Sequence, residues 1–297
     1  MEKPKFVTLG FSHLVPTSMR TGRELRVWVH VGLKVKALGG DMAFQLITLD
    51  KQAGVGKLTL NRPPANVMNY EMLVEINQAL DDLAKDESVK VVLVRGSGNR
   101  AFSAGVEVKD HLGERMPLTI KEFGKVFYGL RNLGKPSIAV VNGVALGGGC
   151  ELVAGCDIAI ASDKAQLGQP EIKLGGLAPV AAALFPRIMG ERKAFELIML
   201  GDNISAGDAE RFGLVNKVVP DAELDAAAEV LTKKFLALSG IGVKLCREAL
   251  FQAADSPRWE HAMQKAVDLG IKTWETEDAA EGLNSFLQKR APVWKNK

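Results

Sequence analysis

The sequence predicts an α/β fold followed by a helical C-terminal region, and three observations carry that expectation. Strand-like and helix-like segments alternate from Phe44 to about Pro220. The run "VKVVLVRG" is continuously apolar and β-branched, as expected of a strand covered on both faces. From Asp221 onward every segment has helical spacing.

Each element follows from local chemistry. "FQLITLD" and "VGKLTLN" read as two short strands joined by the turn "KQAG". "NRPPANVMN" is a loop that Pro63 and Pro64 hold extended. Asn69 is positioned to cap a helix whose apolar residues, Leu73, Ile76, Leu80 and Leu83, recur at spacings of three and four. Strand, helix, strand of this kind implies parallel pairing with right-handed crossovers. The alternation repeats as "IKEFGKVFYGLRNL" (helix), "PSIAVVNG" (strand), "GGCELVAGC" (short helix) and "DIAIAS" (strand). "AQLGQPEIKLGG" is a loop or short strand, and "APVAAALFPRIMG" a helix interrupted near Pro186. "ERKAFELIMLGDNISAGDAERFG" supplies two further helices, and "LVNKVVP" is the last strand. The domain limits read from this pattern are a basic extension over 1–41, an α/β core over 42–220 and a helical region over 221–297. With no strand of its own to pack on, that region is expected to cover another part of the protein or a second subunit.

Composition narrows the function classes. The chain has 297 residues, 47% of them apolar and 25% charged, with a net charge of +3. Residues 1–41 carry seven Lys/Arg against three acids, a balance of +4 that leaves −1 for the rest. A near-neutral globular part argues against a nucleic-acid surface. No apolar run reaches the roughly 18 residues of a membrane span, and the expected location is the cytoplasm. Cys150, Cys156 and Cys246 lack zinc spacing and read as packed, reduced thiols. For the basic segment, an upstream start before Met42, a targeting peptide and a genuine extension are all open. It is expected to be non-essential.

The candidate chemistry lies in two glycine-containing stretches and two glutamates. In "NGVALGGGCEL", Gly147 to Gly149 follow a buried strand and open a helix, whose N-terminus presents unpaired N–H groups. Glycines there either let a ligand oxygen approach the main chain or let the helix pack closely on the sheet. "NRAFSAGVEVKD" likewise places Ser103, Ala104 and Gly105 after a strand. Loops after neighbouring parallel strands lie side by side at the carboxyl end of a sheet, and two converging N–H groups there complete an oxyanion hole. "GSGNRA" fits a dinucleotide-type glycine pattern, but no helix follows it. Glu151 lies on the first turn after the glycines and Glu171 in "LGQPEIKLG", so the two bracket the strand "DIAIAS". A loop folded back over the helix start would turn both carboxyls into one half-apolar cavity, where they could divide acid and base roles. The four histidines, His111 among them, have no nucleophile motif beside them.

Together "LNRPPANVMN", "RAFSAGVEV", "KPSIAVVNGVALGGGCELVAGCDIAIAS", "LGQPEIKLG" and "GDNISAGDAERFGLVNKVVP" resemble the crotonase superfamily, the enoyl-CoA hydratase/isomerase family, from about Phe44 to the C-terminus. The resemblance implies a spiral of ββα turns, a C-terminal helical region that forms a homotrimer or a homohexamer, and an acyl-CoA substrate. It puts the oxyanion donors on the backbone N–H of Val106 and Gly148. Substrate contacts fall at Ala65, Ala104, Gly105 and Gly147. Glu151 is implied as the base that activates water, Glu171 as the acid that protonates the α-carbon. No metal or further cofactor is implied, because coenzyme A is part of the substrate. Having both glutamates favours hydration over double-bond isomerisation, and the neutral surface disfavours an RNA-binding relative. Two stretches depart from the usual pattern. "GGLAPVAAA" replaces a PGxGGT-like run, and Glu107 stands where an Asp is usual. "AGVEVKDH" and "LAPVA" are similar to the branch that hydrates cyclic dienoyl-CoA.

Overall fold

The computed structural model describes residues 44–297; the basic segment 1–41 lies outside the described residues. The first unit is the hairpin β1 (Ile47–Gln52) and β2 (Val55–Leu60) followed by α1 (Tyr70–Lys85). Its turn is tighter than "KQAG", with only Ala53 and Gly54 in it at φ of 49° and 82°. Two positive φ values in a two-residue loop match the twist of the flanking strands. Asn69 caps α1 as expected, its side chain accepting from Met72 N at 3.1 Å.

Three further units repeat one plan, a strand in a large sheet, a short strand in a second sheet, then a helix. They are β3 (Val91–Gly96), β4 (Ala101–Ser103) and α2 (Arg115–Arg131); β5 (Ser137–Val141), β6 (Val144–Leu146) and α3 (Gly148–Gly155); and β7 (Ile158–Ser162), β8 (Gln166–Gly168) and α4 (Pro179–Met189). Then come α5 (Glu191–Leu200), β9 (Asn203–Ser205), α6 (Ala206–Arg211) and β10 (Lys217–Val219). The large sheet has the order β1-β2-β3-β5-β7-β10, parallel except for β1. The second has the order β4-β6-β8-β9, with only β9 antiparallel. This is the ββα spiral.

Both faces of the large sheet are covered, which explains the unbroken apolar run of β3. Leu58, Leu60, Val92 and Val94 join Met72, Ile76 and Leu80 of α1 in the main core. On the other face Val91, Ile138, Val140 and Ile160 pack with Leu224 and Ala228 of α7 (Leu224–Leu236). The first helix after the last strand therefore does have a sheet to pack on. The chain ends in α8 (Gly240–Ala254), α9 (Trp259–Trp274) and α10 (Glu277–Leu287). Buried Arg247 fastens α8 to the core, donating to Leu130 O at 2.6 Å and Arg131 O at 2.8 Å and pairing with Asp157 at 3.0 Å. It thereby caps the last carbonyls of α2.

Two expectations are corrected. Helix α4 runs through Pro186 without interruption. Proline removes only the donor to Ala182 O, and Ala182 is exposed, so water can take that bond. The two helices read from "ERKAFELIMLGDNISAGDAERFG" are present as α5 and α6, but an unforeseen strand, β9, separates them, set by its pairing with β8. Among the described residues no helix is long and apolar enough to cross a membrane. The thiols form no disulfide, and burial pushes those of Cys150 and Cys156 far up, so both stay protonated.

Candidate active site

The parallel pairing of β4 with β6 carries the two glycine-containing stretches forward together, residues 104–107 beside 147–150. Residues 104–107 are also laced to the proline loop. Ala104 N donates to Ala65 O at 2.9 Å, Met68 N to Gly105 O at 2.8 Å and Glu107 N to Met68 O at 2.9 Å. Because the Gly105 carbonyl points at Met68, the N–H of the same planar peptide, that of Val106, points to the opposite side. Gly148 lies close to this segment. A Cβ placed on Gly105 would sit 3.4 Å from Gly148 N, and one on Gly148 would sit 2.8 Å from Val106 Cγ2. Neither Val106 N nor Gly148 N donates to any acceptor among the described residues, and Gly148 is the first residue of α3, where the N–H groups have no helical partner.

Each of the three glycines has its own reason. Gly147 adopts φ of 53°, and a Cβ there would lie 2.5 Å from Glu171 Oε1. Gly148 faces Val106 and Phe123, and a Cβ on Gly149 would overlap the main-chain oxygen of Ser103. Close packing and close approach thus coexist in one tripeptide.

Both glutamates reach this place. Glu151 sits one turn into α3 with only 2% of its surface exposed. Its Oε1 accepts from Ala181 N at 2.7 Å, which ties α3 to the start of α4. Burial, reinforced by the charge of Glu171, pushes its carboxyl up to about 7, against the Ala181 hydrogen bond. Glu171 lies in a 3-10 turn, Pro170–Leu174, that folds back over the start of α3. Burial raises its carboxyl as well, while Gln169 and the charge of His111 oppose the rise. Glu171 Oε1 accepts from the fully buried Gln169 amide at 3.1 Å, and its buried Oε2 has no hydrogen-bond partner.

The expected residues are therefore brought together: Val106, Gly148, Glu151 and Glu171 meet around Gly147, with Gly105 lining the same spot and Ala104 next to Ala65. Sequence reasoning missed Gln169 and Ala181. Gln169 left a faint signal, an amide held between Gly168 and Pro170 at a strand end. Ala181 left none, since a backbone N–H is supplied by any residue. His111 lies exposed at the rim, its Nδ1 3.0 Å from Glu107 O. Among the described residues no group of His, Cys, Asp and Glu is arranged to hold a metal.

Glu151 also makes stability depend on pH. Its ordinary value of 4.5 rises to about 7 on folding. Between those values the folded state binds more protons than the unfolded chain, so this stabilising contribution is full below 4.5 and is lost as pH rises through about 7. At about 1.4 kcal/mol per unit the loss amounts to about 3 kcal/mol. Urea titrations at pH 5 and pH 8 are expected to show the fall, and Glu151→Gln is expected to flatten it. An unchanged difference would remove Glu151 as its source.

The same fold occurs in known proteins. Residues 50–297 match the Enoyl-CoA hydratase/isomerase family. The chain is 37% identical over 257 residues to a probable mitochondrial enoyl-CoA hydratase of Dictyostelium discoideum, covering 84% of this chain and 91% of that one. It is 36% identical over 256 residues to a crotonyl-CoA hydratase of Syntrophomonas wolfei, covering 84% and 97%. The crystal structure of an enoyl-CoA hydratase from Bacillus anthracis superposes with a TM-score of 0.82 at 32% identity, covering 85% of this chain and all of that one. The fold and these matches define an acyl-CoA enzyme of the crotonase class. The chain belongs to the enoyl-CoA hydratase/isomerase family and is a hydro-lyase of the enoyl-CoA hydratase type.

Proposed function

We propose that this site adds water across the α,β double bond of an enoyl-CoA thioester, with Val106 and Gly148 as oxyanion donors and Glu151 and Glu171 as the proton-transfer pair. The observation that carries the proposal is the convergence of two unpartnered amides with two carboxyls raised by burial. The thioester oxygen accepts from both amides. Attack at the β-carbon moves electrons onto that oxygen, and each fixed donor stabilises the enolate by roughly 3 kcal/mol. Glu151 keeps one oxygen on Ala181 N and uses the other to take a proton from water as it attacks. Glu171, its carboxyl raised by burial, delivers a proton to the α-carbon. The pair shares one proton and restores itself on release of the hydroxyacyl product by exchange with solvent. Coenzyme A enters as part of the substrate, and these steps require no other cofactor.

The finer reading concerns the acyl group. The wall formed by Ala178, Pro179, Val180 and Ala181 replaces a glycine-rich run, and with "AGVEVKDH" it favours a cyclic dienoyl-CoA beside linear enoyl-CoA. The assembly proposed is a homotrimer or a dimer of trimers. It is supported by an exposed apolar stripe on α9, Trp259, Met263, Val267, Ile271 and Trp274, at spacings that share one helix face.

Incubation with crotonyl-CoA and with a cyclic dienoyl-CoA tests the function. Loss of the conjugated absorbance with gain of one water in the product is the expected result for at least one of them. Double-bond migration without hydroxyacyl product would replace hydration by isomerisation. Inertness toward both would overturn the proposal.

A further inference from the structure

We infer that Arg62 is a positioning residue that acts on the reacting carbonyl through two peptide groups in series; the inference rests on Val106 as an oxyanion donor. Arg62 lies in the proline loop and never reaches the space between Gly147 and Glu171. Its Nη1 donates to Val67 O at 2.9 Å. The Val67 carbonyl and the Met68 N–H belong to one planar peptide, and that N–H donates to Gly105 O at 2.8 Å. The Gly105 carbonyl and the Val106 N–H form the next plane, whose N–H is the unpartnered donor. The chain of dipoles therefore runs from guanidinium to Val67 O, from Met68 N–H to Gly105 O, and ends at Val106 N–H.

Two consequences follow. Hydrogen bonds in a chain polarise one another, so a full positive charge at its head strengthens the donor at its tail. The chain also fixes orientation. Gly105, at φ of 103°, has no side chain to restrict the peptide that carries the Val106 N–H, and the hydrogen bond from Met68 supplies the missing restraint. The guanidinium is itself anchored, with Nη1 and Nη2 each 3.1 Å from Glu107 Oε2. Glu107 N donates to Met68 O, so the carboxylate that holds Arg62 belongs to the segment being aimed. The ion pair is partly exposed, at 35% and 26% of side-chain surface, and a pair of that kind adds little to global stability. Its effect is on aim and polarity.

The test combines kinetics with infrared spectroscopy of crotonyl-CoA labelled with carbon-13 at the carbonyl. Kinetics are measured in otherwise unaltered protein, and spectra in the Glu151→Gln background so that the bound thioester is not consumed. Binding is expected to lower the carbonyl frequency as the amides polarise it. Arg62→Met is expected to lower kcat about tenfold, a fraction of what a whole oxyanion donor supplies, with KM held within about twofold. The frequency should move back toward that of free thioester. Arg62→Lys, which keeps a charge on Val67 O, should recover most of both. Unchanged kcat and frequency in Arg62→Met, a loss confined to KM, or an equal loss in Arg62→Lys at an unchanged melting temperature would each overturn the inference. Protein with Arg62 intact that neither hydrates crotonyl-CoA nor shifts its carbonyl would instead overturn the reading of the site.

Discussion

Glu151→Gln is expected to lower kcat for hydration by about 10³-fold while leaving KM within about threefold. Glutamine keeps the oxygen that accepts from Ala181 N, so the tie between α3 and α4 survives and the site keeps its shape. What disappears is the basic oxygen that takes the proton of attacking water. The substitution also removes a buried ionisable group whose carboxyl lies at about 7, so the variant should be no less stable than the parent above neutral pH. Glu171→Gln is expected to be comparably inactive for the complementary reason, loss of the proton due at the α-carbon. Its oxygen can still accept from Gln169. Isothermal titration with a saturated acyl-CoA, which cannot react, would report unaltered affinity in both variants. Parent-like hydration by either one would take that glutamate out of the mechanism, and lost affinity would recast it as a binding group.

What the sequence made legible follows from how local each feature is. Strands β3, β5 and β7 and helices α1 to α3 announce themselves by apolar runs, helical spacing and a cap, because each buries a whole face. Strands β4, β6 and β9 are three residues long, too short for a period, and exist because partners far away in sequence complete their ladder. Pro186 by its propensity alone predicts a break, but α4 continues through it, with Ala181 and Phe185 buried in the core. At the site, the residue types were visible: small residues after two strands, and acids at Glu151 and Glu171. Their partners were not. Ala181 N lies thirty residues from Glu151, and Arg62 forty-five from Glu107. Such pairings depend on the completed fold, and the groups that do most of the contacting are main-chain amides, which carry no sequence signature.

Gly148→Ala is expected to cost about 10² in kcat, although the atoms nearest the new methyl belong to neither glutamate. On the present backbone that methyl would lie 2.8 Å from Val106 Cγ2 and 3.0 Å from Phe123 Cζ, so something must give. Phe123 is buried among core residues, whereas Val106 is only half-buried in an irregular segment. Relief therefore comes by pushing residue 106 away, which separates the two amides that must meet on one oxygen. A double-mutant cycle decides whether that account holds. Val106→Ala deletes the clashing methyl but keeps the backbone N–H, so alone it should change kcat little. Combined with Gly148→Ala it should restore a large part of the lost activity, because the two side chains would then share the space that one glycine had left. Simple additivity of the two losses would show that the harm arises elsewhere, at Phe123 or in the helix start itself. Parent-like kcat in Gly148→Ala would mean that the spacing of these two amides does not govern the reaction.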